Sequence, residues 1–278
     1  MADEATLRDK TILITGGTGS LGQEVAKAVL AHNPASVRIL SRNEYYQFEM
    51  KRKFNCDKLR FLIGDIRDRD RMYRASNNCD IIIHTAALKH VSFCEYNPIE
   101  AVKTNILGAV NIIDAAIDNG VGKVLAISSD KAVRPINLYG STKLVMEKLF
   151  IDANVYGGKF SCVRFGNFIG SKGSLVDILQ SQPDTIEVPD ENMTRYWITL
   201  GEAALFTIKS LLMMNGGEIF IPKMTEESVT QVISRVSPNS KVKVTGVRMP
   251  EKICEDLLSP YEQTVAEERE DCWILSQR

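Results

Sequence analysis

The stretch TILITGGTGSLG, residues 11–22, constrains the fold more than any other part of the chain. A short β-branched apolar run ends in glycines and opens into a segment with Leu21, Val25, Val29 and Leu30 at helical spacing. That pattern reads as a buried strand, a tight turn and a helix. Gly16, Gly19 and Gly22 fall three residues apart in the turn. Without side chains there, the backbone can approach a pyrophosphate, which the helix N-terminus then faces with free amides. A glycine-rich turn says little alone. Between a first strand and a first helix it says much more.

The rest of the first half repeats that rhythm. SVRILS (36–41), LRFLIGD (59–65), CDIIIHTAA (79–87), KVLAISS (123–129) and FSCVRFGN (160–167) are predicted strands. Helices are predicted over 20–33, 101–121 and 140–157. Strands alternating with helices imply βαβ units, hence an α/β fold with a Rossmann-type, doubly wound parallel sheet. After Asn167 the alternation breaks, and Pro183, Pro189, Pro222, Pro238, Pro250 and Pro260 punctuate short elements. Residues 1–167 are therefore read as a cofactor-binding Rossmann domain and 168–278 as a smaller substrate-binding subdomain. The segment 200–222, a helix followed by the strand GEIFIP, is expected to return to the main body.

Charge narrows the ligands. The 34 basic and 35 acidic residues nearly cancel, so no global field attracts nucleic acid, and none is expected as a partner. An anionic ligand must be held by local cations or backbone amides. The six cysteines form no C-x-x-C pair, and His32, His84 and His90 make no metal constellation. Reduced thiols in a cytoplasmic protein, with no metal site, are the expectation. MADEATLRDK does not look like a signal peptide. No apolar run approaches the roughly 20 residues of a membrane helix, so no membrane association is expected.

The end of the second strand bears on cofactor choice. A carboxylate there would accept from the ribose 2′-hydroxyl of NAD; here ILSRNE places Ser41 and Arg42 in that region. A hydroxyl and a guanidinium suit a 2′-phosphate, which favours NADP. The alternative is a solvated Arg42 with Glu44 on the ribose. Asp65 of GDIRD can accept from the adenine amino group with Ile66 against the ring; an N-cap role for Asp65 or Asp68 is the competing reading.

The densest chemistry is SSDKAVRPINLYGSTK, residues 128–143. KVLAISS delivers Ser128, Ser129 and Asp130 to the carboxyl edge of the sheet, where α/β folds keep ligands. Tyr139 and Lys143 are four residues apart on one helical face. A nearby ammonium is expected to lower the Tyr139 pKa from about 10, so that a phenolate takes a sugar hydroxyl proton as hydride departs. Taken structurally, Tyr139 is a helix-start aromatic, Lys143 a surface charge, and Asp130-Lys131 a loop pair of little worth.

These motifs resemble the extended short-chain dehydrogenase/reductases, in their nucleotide-sugar branch. AALKHV, EYNPIEAVKTNILGA, VRFGNFIGSKGS, MTRYWIT and GGEIFIPK narrow the resemblance to inverting UDP-N-acetylglucosamine 4,6-dehydratases, over about residues 10 to 256. The resemblance implies NADP held by Gly16, Thr18, Gly19, Ser20 and Leu21 of the turn, and by Ser41, Arg42, Asp65 and Ile66. Thr85, Ala86, Thr104, Tyr139, Lys143 and Phe168 complete that set. It implies Asp130 as acid for the C6 hydroxyl and Lys131 as base at C5, beside Tyr139 and Lys143. It implies substrate contacts at Lys89, Asn167 and Glu251, with Lys172, Arg195 and Arg248 as cations around the UDP diphosphate. Asn105 is a proton-relay position or a buried amide. Homo-oligomers are the habit of this superfamily, so a dimer or larger assembly is expected, with 101–119 and 143–155 as pairing helices or as core.

The chain also departs from the pattern. Arg-Pro-Gly-Glu-Lys followed by Leu-His-Glu is usual; here RMPEKICE (248–255) lacks the glycine and has Cys254 for His. Lys172 stands where Arg is common, and 175–191 is short. These changes bear on which sugar is used. Two other functions compete: a nucleotide-sugar 4-epimerase, needing Tyr139 and Lys143 alone, and a catalytically idle NADP-binding protein.

Overall fold

The computed structural model describes residues 6–246 and 250–276. Its strands are β1 (Thr11–Thr15), β2 (Ser36–Ser41), β3 (Leu59–Ile63), β4 (Ile81–His84), β5 (Lys123–Ser129), β6 (Lys159–Phe165) and β7 (Asn167–Ile169). They continue with β8 (Thr185–Val188), β9 (Thr194–Thr199), β10 (Glu218–Pro222), β11 (Thr225–Ser228), β12 (Lys241–Val244), β13 (Glu267–Glu268) and β14 (Cys272–Ser276). The helices that matter for the site are α1 (Ser20–Ala31), α2 (Glu44–Phe54), α3 (Arg69–Ser76), α4 (Val91–Tyr96), α5 (Pro98–Val102), α6 (Gly108–Asp118) and α7 (Leu138–Asp152).

The large sheet runs β13-β14-β10-β6-β5-β4-β1-β2-β3. From β3 to β10 every pairing is parallel; β14 and β13 close that edge antiparallel. The order reverses between β1 and β4, the switch point at which a doubly wound sheet opens a ligand crevice. The fold is Rossmann-like, as the alternation predicted. Fully buried runs such as Ile12, Leu13 and Ile14 explain why the strands read as continuous apolar stretches: both faces are covered.

The chain does not divide cleanly after residue 167. β10 returns to the large sheet as expected of 200–222, but β13 and β14 return as well. A separate small core of Val176, Leu179, Ile186, Val188, Trp197, Val232 and Ile233 forms between these returns. It carries a three-stranded sheet, β11-β9-β7, and the pair β12-β8.

The helix predicted over 101–121 is interrupted. A π-helical turn, Lys103–Leu107, separates α5 from α6. Such turns insert one residue and often mark functional sites. Here the turn aims Asn105 at the loop after β4. Its Oδ1 accepts from Leu88 N at 2.8 Å; its Nδ2 donates to Leu88 O at 3.0 Å and Thr142 Oγ1 at 3.0 Å. Asn105 is thus a buried amide tying three segments. Gly108 follows because a Cβ there would lie 2.7 Å from Ile66 Cδ1.

Candidate active site

A cleft of about 750 Å³ opens along the carboxyl edge of the sheet at the switch point. Its floor is the glycine turn. Gly16 has φ +68°, and a Cβ there would lie 2.7 Å from Ala86 N; at Gly22 it would lie 2.5 Å from Gly16 O. Gly19 is the N-cap of α1 and supplies no side-chain cap, so the first amides of that helix keep their donors for something else. This cradle fits a dinucleotide. Thr18, Ser20, Leu21, Ser41, Arg42, Asp65, Ile66, Thr85, Ala86, Thr104 and Phe168 all line the same cleft. Glu44 does not.

Local bonds set these side chains. Ser41 Oγ accepts from Gln47 Nε2 at 3.0 Å. Asp65 accepts from Arg67 N at 3.0 Å and Nε at 2.9 Å. Burial works to raise the Asp65 pKa, but Arg67 outweighs it and holds the carboxyl below its ordinary value. The N-cap of α3 is Asp68, which accepts from Arg71 N at 2.9 Å.

The chemistry-bearing stretch folds as β5, one 3₁₀ turn (Asp130–Ala132) and α7. Asn137 caps α7, its side chain accepting from Gly140 N at 2.8 Å. Gly140 lets the helix start against that turn, since a Cβ there would run into the Lys131 carbonyl. Tyr139, Lys143, Ser129 and Lys131 therefore converge on one wall of the cleft.

Lys143 has its amine engaged by β5 and by its own helix. Its Nζ donates to Ile127 O at 2.7 Å and points to Met146 Sδ at 3.6 Å. Burial brings its pKa down to about 8. Burial likewise pushes the Tyr139 phenol above its ordinary range, opposed by a hydrogen bond with Ser129. His84, buried against Phe150, is driven down to about 3 by burial and then by the charge of Lys143. It is neutral and bonds Thr15 Oγ1 at 2.7 Å.

Lys131 sits in a polar corner. Its Nζ donates to Asp130 Oδ1 at 3.1 Å and Asn167 Oδ1 at 3.3 Å, and lies 3.6 Å from Glu255 Oε1. Asp130 is wholly buried behind Lys131, outside the cleft wall; Ser129 Oγ donates to its Oδ1 at 2.9 Å. Asp130 Oδ2 and Glu255 Oε2 are buried and lack hydrogen-bond partners. Sequence reasoning does not find Glu255. Its only signal is its place as the last residue of RMPEKICE, a carboxylate where a buried charge needs a partner. Burial raises its pKa, with Lys131, Arg195 and Lys252 opposing and Asp130 reinforcing the rise.

Several expected substrate contacts fall elsewhere. Arg195 is buried outside the cleft wall. It donates to Thr194 O at 2.7 Å, Ile253 O at 2.8 Å and Lys252 O at 3.0 Å, pinning the 252–253 backbone rather than facing a diphosphate. Glu251 is not in the wall either, and Arg248 lies outside the described residues. Lys89 and Asn167 do line the cleft. So does Lys172, but at the cofactor end: its N donates to Ser20 Oγ at 3.0 Å, and its Nζ is 5.1 Å from the Tyr46 ring centre. Lys89 Nζ donates to Lys172 O at 3.0 Å, tying the two walls together. Tyr46 and Trp197, the latter within MTRYWIT, are further wall residues to which the sequence assigned no role.

A family described as polysaccharide biosynthesis protein matches residues 12–277. The chain belongs to this family. A UDP-N-acetylglucosamine 4,6-dehydratase (inverting) of Campylobacter jejuni is 43% identical, over 96% of this chain and 83% of its own length. A UDP-glucose 4-epimerase of Rickettsia bellii is 37% identical, over 94% of this chain and 81% of its own. The X-ray structure of Pen from Bacillus thuringiensis superposes with a TM-score of 0.92 at 41% identity, covering 97% of this chain and 89% of that one. Among the described residues, no helix is long and apolar enough to cross a membrane, and no group of three His, Cys, Asp or Glu side chains is placed to hold a metal.

Proposed function

We propose that this protein is an NADP-dependent UDP-N-acetylglucosamine 4,6-dehydratase that inverts C5. The product is a UDP-4-keto-6-deoxy-L-arabino-type sugar for glycan synthesis. The observation that carries the reading is the Lys131 amine in the cleft wall, beside Tyr139 and backed by two carboxyls. An epimerase needs no base for C5. The 43% identity to a named inverting dehydratase supports the same reading.

The glycine turn and the amides of α1 would hold the cofactor pyrophosphate, and Ser41 and Arg42 would meet a 2′-phosphate. That Glu44 stays out of the cleft supports NADP over NAD. When bound, the nicotinamide supplies hydride acceptance and return. The remaining steps belong to side chains. Tyr139 receives the proton of the sugar C4 hydroxyl, which requires phenolate and hence relief of its raised pKa. Lys131 takes the C5 proton; Asp130 is the acid for the departing C6 hydroxyl, which requires its buried, unpartnered Oδ2 to be uncovered toward the cleft. Lys89 and Asn167 face the sugar nucleotide.

Two wider readings go with this. Phe93, Tyr96, Ile99 and Leu107, exposed along α4, α5 and the π turn, support a homo-oligomer. The described cysteines are all free, which supports a reducing, cytoplasmic setting. The second reading is a 4-epimerase, favoured by the 37% identity to one. Incubation with UDP-N-acetylglucosamine in D₂O, followed by NMR, separates them. Loss of the C5 proton signal with a 4-keto-6-deoxy product is the expected result. A galacto-configured product with C5 unexchanged would replace the dehydratase with the epimerase.

A further inference from the structure

Glu255 is the one buried carboxylate at the site to which no step is assigned. It is built into place rather than stranded there. Arg195 holds the carbonyls of Lys252 and Ile253; Lys252 Nζ donates to Val133 O at 2.7 Å; Arg164 Nη1 donates to Leu257 O at 2.9 Å. Three anchors from three separate elements thus fix the segment on either side of Glu255. Its carboxylate then bridges two amines, Oε1 at 3.6 Å from Lys131 Nζ and Oε2 at 3.5 Å from Lys252 Nζ. Glu255 itself does not line the cleft, whereas Lys131 does. Its ion pair with Lys131 is its link to the cleft wall, and its charge also reaches Tyr139.

We propose that Glu255 is a positioning residue for the C5 base: its carboxylate aims the Lys131 amine into the cleft and sets that amine's strength. The inference rests on the dehydratase reading above. The C5 proton is held by carbon and becomes removable only after C4 is a ketone, so the base must have substantial proton affinity. An anion beside an amine favours its ammonium form, and Glu255 Oε1 stands 3.6 Å from Lys131 Nζ. In the step itself the C5–H bond breaks and its electron pair moves into the enolate toward the C4 oxygen. The proton joins the Lys131 nitrogen, which becomes an ammonium facing Glu255 and Asp130. Nothing is oxidised or reduced in this step; the oxidation that makes C4 a ketone is the chemistry a bound nicotinamide would supply. The charged and titratable groups around the pair are Asp130, Tyr139, Arg195 and Lys252. Asp130 holds Lys131 from the opposite side and keeps its own task at C6.

The test is the pH profile of C5 exchange in D₂O, measured on cofactor-loaded protein with UDP-N-acetylglucosamine. A base works only when deprotonated, so exchange rises along an acidic limb to a plateau. Glu255→Gln keeps the shape and removes the charge. The limb is expected to move down by about one to three pH units, the shift an opposite charge at this range exerts. The plateau is expected to fall, because the amine is now a weaker base. KM should change by less than about twofold, since Glu255 touches no substrate. Glu255→Asp, which keeps the charge one methylene further back, should fall between the two profiles, and it stands as the test if the Gln variant does not fold. A limb that stays in place in both variants would overturn the inference and leave Glu255 to Lys252 alone. A lower plateau with an unmoved limb overturns it too, as the mark of a purely structural role. Wild-type protein that never exchanges C5 removes the dehydratase reading and this inference together. Exchange in wild type with an unmoved limb in the variants removes only the inference.

Discussion

The two ends of the cleft are built in opposite ways. The glycine cradle at one end is local: one strand, one turn and one helix, within residues 11–31, make it. The end around Lys131 is assembled: Lys131 comes from the turn after β5, Asn167 from β7, and Glu255 from a segment far along the chain. A local site fails by backbone geometry. An assembled site fails by electrostatics, because each partner is held by a different part of the fold.

Substitutions at the two ends should separate these modes. The largest effect belongs to Lys131→Met, which keeps the apolar stem and loses the proton acceptor. C5 exchange should drop by about 10²–10⁴-fold, the usual worth of a general base, with reduced nicotinamide accumulating near 340 nm in a single turnover. Normal exchange and normal 4-keto-6-deoxy product would move the base elsewhere.

Arg42→Ala comes next. It should weaken NADP by about 1.5–3 kcal/mol, the value of a charged hydrogen bond, and leave NAD nearly untouched. Titration of both cofactors checks this, and equal losses would remove Arg42 from the 2′-phosphate. Gly22→Ala should act differently. Its Cβ would press on Gly16 O and the Gly17 backbone, costing about 1–3 kcal/mol of strain that the turn relieves by shifting. Both cofactors should then weaken alike in the same titration, and an unchanged affinity would show the cradle to be more yielding than the geometry states.

The smallest effect is a pH dependence of stability in cofactor-free protein. The folded pKa of Lys143, about 8, lies below its ordinary 10.5. Between those values the unfolded chain binds the extra proton, so stability rises with pH. Relative to Lys143→Met, wild type should gain about 1 kcal/mol between pH 8 and 9 in denaturant titrations. Parallel curves would place the Lys143 ammonium in a wetter setting than this one.

What the sequence makes legible follows the same division. The alternation and the glycine spacing anticipate β1, α1, β2 and β5 closely, because those elements are specified by their own residues. The π turn is not legible: Lys103–Leu107 has a helical pattern, and only the demand of Leu88 for Asn105 breaks it. Nor is β14, a short strand whose place between β13 and β10 depends on β10. At the site, Tyr139, Lys143 and Asp130-Lys131 stand out as a cluster in one stretch. Arg195 looks like a ligand cation because a sequence does not show which carbonyls a guanidinium meets. Lys172, expected at the substrate, sits against Ser20 and Tyr46, since a loop's reach is set by what it packs on.

Arg164 helps to keep the distant partner in place. Fully buried, it grips Glu147 of α7 with Nε at 3.1 Å and Nη2 at 2.9 Å, and Glu262 with Nη2 at 2.9 Å. Losing one member of such a trio strands the others, at a cost of about 3–5 kcal/mol. Mutations at these three positions are therefore epistatic. A lineage cannot drift away from the arrangement one substitution at a time without passing through a poorly folded intermediate, although replacing all three with matched apolar residues would be tolerated. Arg164, Glu147 and Glu262 should be inherited as a block, and with them the placement of residue 255 beside Lys131.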